Sequence, residues 1–354
     1  MQDAPLIKPL TSIRFFAALA VVIFHSGASW ASVNPHIPGP IKTLLLNGYV
    51  GVTFFFVLSG FILHFTYRGR IASGGQVKRF AIARFARLYP VYVLAVLAML
   101  PFTTLAGWGD VPQFLLLHWW IPNGALGWTD WNMPSWTLSV ELFFYCCFPL
   151  LSRGVAKTGT RGLVAVIGAL LAFDLVTAGS SIVSNNEGLF GWMVWTPVPL
   201  LRLPEFVIGV CAAELHLRGA RLSIPSWLPA AALVTGLCLS SSPRIAAFAT
   251  AMAVVLIAAI ANDQSSRFAR VLGTRWLVLL GGASYALYLM HQPVHFTVLA
   301  ALGSSKAMVA LQYPIMILGS VAVFLFYEEP AREWIRARTG MKPSVIEQVA
   351  DQRL

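Results

Sequence analysis

The sequence predicts an all-α integral membrane protein, a bundle of about ten transmembrane helices with both termini in the cytoplasm. Three observations carry that prediction. Of the 354 residues, 57% are hydrophobic and 11% charged, against roughly 25% charged in a soluble globular domain. Apolar runs of about twenty residues recur from end to end, the length a helix needs to cross a bilayer. Lys and Arg gather in alternate connections between those runs, the asymmetry expected of a polytopic chain. No long hydrophilic stretch is left over. Residues 1–335 therefore read as one membrane domain and 336–354 as a polar cytoplasmic tail.

In order along the chain, the candidate spans are 10–30, 44–66, 86–106, 134–151, 161–180, 196–217, 226–241, 244–262, 276–302 and 311–331. The first joins Arg14 to an apolar stretch and the small residues of GASWAS, a pattern shared with cleavable signal peptides. Retention is expected, because no secreted domain follows and a signal segment has no use for the terminal His25. Of 25 Lys and Arg residues, 21 fall on one side, about the start of the first span, between the second and third, fourth and fifth, sixth and seventh, eighth and ninth, and after the last, with Arg14, Arg87 and Arg161 just inside their spans. The opposite side has Lys42, Arg244 and Lys306, while Arg202 lies within a span. This topology, rather than nucleic acid, accounts for the net charge of +11. Cys146 and Cys147 are adjacent and Cys211 and Cys238 sit in apolar runs, so they read as small buried hydrophobes, with no metal spacing. Trp108, Trp119, Trp120, Trp128 and Trp131 occupy the non-cytoplasmic loops, as interfacial anchors or as an aromatic platform for a sugar ring.

Ionisable residues inside spans are functional candidates by default. Arg14 and His25 stand eleven residues apart, which on a helix is three turns plus roughly 20° and roughly 16–17 Å along one face. Counting from the ends of the predicted spans at about 1.5 Å per residue, His25 reaches the middle of a ~30 Å core. Glu141, counted inward from Pro134, arrives some 10 Å below the outer boundary. The two are therefore expected at one level, as a base and its carboxylate partner. Arg202, Glu205 and His291 enter the same outer half. Each has a plainer reading: Arg14 snorkelling to headgroups, His25 as a hydrogen-bonded packing residue, Arg202 and Glu205 neutralising each other at i and i+3. Asp174 reads as a polar pore residue and Glu214 as a snorkelling end residue; His36, His64, His118 and His216 are expected to be solvated. In RFARLYP, Arg84 and Arg87 share a helix face and suit either a phosphorylated ligand or anionic lipid headgroups.

Absences narrow the chemistry. No G-x-S-x-G elbow, P-loop, G-x-G-x-x-G or His followed by Asp five residues on occurs. Seven segments do occur in order: LTSIRFFAALAVVIFH, GYVGVTFFFVLSGFIL, RFARLYPVY, MPSWTLSVELFFY, LPEFVIGV, SYALYLMHQPV and EEPARE. In these the chain resembles the membrane acyltransferase-3 family, which O-acylates surface and secreted glycans and, in some branches, macrolides. The family's Arg/Lys-x10-His element falls on Arg14 and His25, its R-x-x-R element on Arg84 and Arg87, and its S-x-x-x-E element on Thr137 to Glu141, with threonine for serine. Many relatives carry a further C-terminal hydrolase-like domain; this chain resembles the stand-alone form. The resemblance implies transfer of an acyl group, most often acetyl, from cytosolic acyl-CoA to a glycan hydroxyl in a bacterial inner membrane. It implies His25 as general base or transient acyl carrier with Glu141 and Arg14, and Arg14, Arg84 and Arg87 on the donor. Arg202, Glu205, His291, Trp136 and Thr137 are then expected on the acceptor, a glycan or lipid-linked sugar, or a small secondary metabolite. A secondary transporter or flippase would also bury charge at mid-membrane, but no internal repeat or paired broken helix marks one.

Overall fold

A computed structural model of the chain describes residues 7–71, 74–104, 107–120, 131–177, 198–242, 244–263, 265–303 and 306–340. Among these residues there are helices and connections and no strand. Trp128, the tail after Gly340 and the outer edges of several predicted spans lie outside them. The helices are α1 (Lys8–Val33), α2 (Gly39–Leu46), α3 (Gly51–Tyr67), α4 (Gly74–Met99), α5 (Val111–Phe114), α6 (Trp136–Lys157), α7 (Thr160–Thr177) and α8 (Val198–Leu201). They continue with α9 (Leu203–Leu217), α10 (Trp227–Leu239), α11 (Ile245–Asn262), α12 (Arg267–Leu272), α13 (Arg275–Gly282), α14 (Ser284–Leu302), α15 (Lys306–Val323) and α16 (Glu329–Arg338).

Among the described residues, seven helical segments are long and apolar enough to cross a membrane: α1, α3, α4, α6, α7, α11, and α15 with its extension into α16. The other three predicted spans are interrupted or short. Pro204, which lacks an N–H and restricts the residue before it, divides 196–217 into α8 and the 15-residue α9. The Gly281–Gly282 pair ends α13, dividing 276–302. The stretch 226–241 is the 13-residue α10.

Helix α3 lies at the centre. Apart from a few small polar residues and a terminal histidine its sequence is apolar all round, and such a helix must be buried on every side. Small residues let it approach its neighbours. A Cβ on Gly60 would run into the Phe206 backbone of α9, and one on Gly209 into the Val57 backbone of α3. In a bilayer, where lipid competes equally for apolar surface, such close backbone packing is a principal source of helix association. Gly48 and Gly51 abut Ala20 and Ala17 of α1 in the same way, so α3 runs antiparallel to α1. Gly281 abuts Thr11 near the start of α1, while His291 meets His25 further on, so α14 runs parallel to α1.

The segment 107–120 folds over the start of α6. Pro134 and Ser135 are buried beneath it, with the Gln113 amide and the His118 Nε2 at 3.2 and 3.0 Å from the Ser135 hydroxyl. His118 is buried, contrary to the solvated position expected for it, and burial pushes its imidazole down to about 4. Trp131 is likewise buried rather than a free anchor, its indole donating to Asp110 at 3.1 Å. Trp108 is fully exposed.

Candidate active site

A cavity of about 130 Å³ opens among α1, α3, α4, α6 and α14, lined by Arg14, Arg84, Arg87, Thr137, Glu141 and Tyr288 among others. Three guanidiniums and one carboxylate converge there. Arg84 and Arg87 are three apart on α4 and present one face. The Arg84 guanidinium lies 5.6, 5.7 and 5.9 Å from the rings of Tyr67, Phe80 and Tyr145, an aromatic enclosure that offsets part of its lost hydration. Its Nη2 donates to the Tyr67 hydroxyl at 3.3 Å, and its buried Nε has no partner among the described residues. Arg87 lies over the Tyr285 ring at 5.4 Å and reaches Glu328 at 3.4 Å. Glu328 closes a π-helical turn, Phe324–Glu328, and sits on the buried side with Arg332, which pairs with Glu329.

Arg14 and Glu141 differ from these. Among the described residues neither has an ion-pair partner within 4 Å, and Glu141 accepts only the Tyr145 hydroxyl at 3.3 Å. Charged groups left without fixed partners beside a cavity are free to bind a polar or anionic ligand.

The expected pairing of His25 with Glu141 is not what the structure brings together. His25 faces His291, with ring centroids 5.2 Å apart and His291 Nε2 3.4 Å from His25 Nδ1. Glu141 lines the cavity with Arg14, some three turns below. The 107–120 segment covers Pro134, the residue from which the depth of Glu141 was counted. His25 is not a lining residue of the cavity. The cavity extends toward it as far as Val52, Thr137 and Tyr288, and the Tyr288 ring is the next neighbour of His291, at 6.2 Å. Tyr285, Tyr288, His291 and His295 thus form a polar stripe at helical spacing along α14. His295 Nδ1 ends that stripe against the side-chain Oε1 of Gln312 on α15 at 2.6 Å.

Two further features hold this helix in place. Pro293 lacks an N–H, which leaves the Leu289 carbonyl without its partner in the helix. The buried Asn132 amide donates to that carbonyl at 3.1 Å, and the Tyr285 hydroxyl donates to the Leu88 carbonyl of α4 at 2.7 Å.

The residues expected on the acceptor separate into two places. Arg202 pairs with Glu205 at 2.9 Å and donates to Thr53 at 3.0 Å. Its guanidinium lies 5.3 and 6.0 Å from the rings of Phe56 and Trp136. Asp174, set aside in the sequence, is within electrostatic reach of this pair. Thr137 lines the cavity and donates to its own Pro134 carbonyl at 2.9 Å. His291 belongs with His25 instead.

One cluster escaped sequence reasoning. His64 and Glu214, expected to be solvated or snorkelling, are both fully buried. Glu214 accepts from His64 at 2.8 Å, from Arg68 at 2.6 and 2.7 Å, and from Arg218 at 2.7 Å. Ser152 meets the other His64 nitrogen at 3.1 Å. The i,i+4 spacing of His64 with Arg68 and of Glu214 with Arg218 was the available signal.

Comparison with known proteins bears on this site. Residues 9–328 match the acyltransferase-3 family model, described as an acyltransferase domain. The chain is 31% identical to acyltransferase MdmB of Streptomyces mycarofaciens over 307 residues, 80% of this chain and 77% of that protein. It is 24% identical to peptidoglycan O-acetyltransferase OatA of Listeria monocytogenes over 328 residues, 81% of this chain and 49% of that protein. It is 23% identical to O-acetyltransferase OatA of Staphylococcus aureus over 323 residues, 80% and 50% of the two chains. The chain thus spans about half the length of the OatA proteins. No solved structure matches it. With the family match covering the cavity and the histidine pair, and seven apolar helical segments of span length among the described residues, the chain belongs to the acyltransferase-3 family and is a multi-pass membrane acyltransferase.

Proposed function

We propose that the chain transfers an acyl group, acetyl in the first instance, from cytosolic acyl-CoA to a hydroxyl of a surface or lipid-linked glycan. The observation that carries this reading is the cavity lined by Arg14, Arg84 and Arg87 against the single carboxylate of Glu141. Acyl-CoA carries several phosphate charges that lipid excludes, and guanidinium forks bind phosphate bidentately. A ten-span topology with cytoplasmic termini, in a bacterial inner membrane, turns this end of the bundle toward the cytosolic donor. His25 then lies about 16 Å further along α1, toward the compartment that holds the glycan. The OatA relatives are O-acetyltransferases, one of them of peptidoglycan, which supports a glycan hydroxyl as acceptor.

In this mechanism the pantetheine arm passes the Tyr288 layer and brings the thioester to His25. The acceptor O–H gives its proton to a neutral His25 as its oxygen adds to the thioester carbon. The C–S bond breaks, and the departing thiolate takes the proton back from the imidazolium. An ester and free CoA result, with nothing oxidised or reduced. Arg202, paired with Glu205 and facing Trp136, is the acceptor-side cation.

The test is transfer of label from acetyl-CoA to a crude envelope glycan fraction by purified protein in detergent. The wild type is expected to transfer, and His25→Ala to lose at least about 10²-fold in rate. Unimpaired transfer by His25→Ala would remove His25 from the mechanism.

A further inference from the structure

His25 and His291 meet through specific nitrogens, and the bonds around them determine which nitrogen carries a proton. His291 Nδ1 lies 2.6 Å from the Tyr288 carbonyl oxygen. A carbonyl only accepts, so His291 Nδ1 is the protonated nitrogen. His291 is buried, and among the described residues no carboxylate approaches either ring within 4 Å. A second proton on it would bury a charge without a counter-ion, at a cost of several kcal/mol. Its Nε2 therefore carries a lone pair. The hydrogen bond of 3.4 Å between that nitrogen and His25 Nδ1 then has one polarity, with His25 Nδ1–H donating and His291 Nε2 accepting. This leaves the lone pair of His25 on Nε2, the ring nitrogen facing away from His291.

We infer that His291 is a positioning residue for His25, fixing the tautomer in which Nε2 is the base. This role replaces the acceptor-binding role expected of His291, and it rests on the reading of His25 as the base. When the acceptor hydroxyl gives its proton to Nε2, the charge on the new imidazolium is shared through Nδ1–H with His291 Nε2. His291 does in this apolar layer what a carboxylate does beside histidine in other acyl-transfer sites, without placing a permanent negative charge in the membrane. The Asn132 bond to the Leu289 carbonyl and the Tyr285 bond to Leu88 hold the α14 turns that carry it. Three other titratable groups stand near the pair: Tyr288, His295 one turn on along α14, and Tyr313 of α15, which reaches Ser26 at 3.2 Å.

Two substitutions separate positioning from support of the fold. In His291→Asn the amide reaches the Nδ1 position and keeps the bond to the Tyr288 carbonyl, but nothing accepts from His25. In His291→Gln the amide oxygen reaches the Nε2 position and accepts from His25, while the bond to Tyr288 is lost. With labelled acetyl-CoA and the envelope glycan fraction, His291→Asn is expected to lower kcat about 10²-fold with both KM values unchanged. The acid limb of its pH–rate profile moves to lower pH, because an imidazolium with no acceptor at Nδ1 releases its proton more readily. His291→Gln is expected to stay within about tenfold of wild type. Near-normal kcat in His291→Asn, an equal loss in both variants, or a loss confined to the acceptor KM would overturn the inference. Loss of transfer in His25→Ala alongside an active His291→Asn overturns only this inference. An active His25→Ala overturns the reading beneath it.

Discussion

Glu214 on α9 and Glu141 on α6 are both glutamates set among arginines inside one helical bundle, yet their surroundings are opposite. Glu214 is fully buried and accepts from His64, Arg68 and Arg218, with His64 in turn held by Ser152. Glu141 is half-buried on a cavity that also shows Arg14, Arg84 and Arg87, and it accepts one tyrosine hydroxyl. The first arrangement spends its hydrogen bonds on tying α3, α6 and α9 together. The second leaves Glu141 with one such partner beside an open cavity. Satisfaction of the charge, rather than its presence in a span, separates a structural ion network from a binding site.

Breaking one network and then the other tests that contrast. The largest effect is expected from Glu214→Ala, which takes the shared acceptor from the buried His64 and from the partly exposed Arg68 and Arg218. With the arginines partly hydrated, the cost is mainly the lost hydrogen bonds to a charged group, about 1.5–3 kcal/mol, read as a lower thermal midpoint and lower yield of folded protein. Activity per folded molecule is expected to persist; a loss of kcat with the midpoint unchanged would move Glu214 into the active site. Arg84→Ala with Arg87→Ala should do the reverse, raising the KM for acyl-CoA by about 10²-fold, since each charge-assisted hydrogen bond contributes about 1.5–3 kcal/mol. The acceptor KM should hold, while the thermal midpoint falls less than in Glu214→Ala, because Glu328 loses Arg87 but keeps Arg332 nearby. An unchanged donor KM would assign the pair to lipid headgroups.

Glu141→Gln sharpens the comparison further. Removing the one carboxylate from a site with three guanidiniums makes it more positive, by about 1–2 kcal/mol for an anion at ~8–10 Å and an effective dielectric of 20. Donor KM and kcat are then expected to fall together, by about tenfold, as CoA leaves more slowly. A fall in kcat alone with a shifted acid limb would restore Glu141 as a partner of His25. The smallest effect concerns the segment over α6. His118 titrates at about 4 in the folded protein against 6.5 when free. Between these values the unfolded chain binds the extra proton, so stability is full above pH 6.5 and declines as pH falls toward 4. His118→Asn should flatten that part of the thermal midpoint curve, and an unaltered slope would place its origin elsewhere.

Much of this was legible in the residues. The helical membrane class followed from composition and run length, and the Arg84–Arg87 pair from three-residue spacing. Arg14 and His25 lie along one helix as their separation requires. Other features were hidden for physical reasons. A buried His64 looks like a solvated one until α9 brings Glu214 beside it. The Asn132 bond to Leu289 joins residues far apart in the chain, although Pro293 announced an orphaned carbonyl. The cover that the 107–120 segment lays over Pro134 is likewise contained in no count of residues along α6.

What the sequence determined by itself was the solvent: apolar runs of span length, with cations in alternate connections, leave the backbone only the helix in which to satisfy its hydrogen bonds. What the tertiary structure decided was company, namely that Glu141 sits with arginines and His25 with His291. Helical periodicity sets which residues share a face, while the depth and crossing of helices set which faces meet. Those depend on glycine contacts and loop cover between segments distant in the chain.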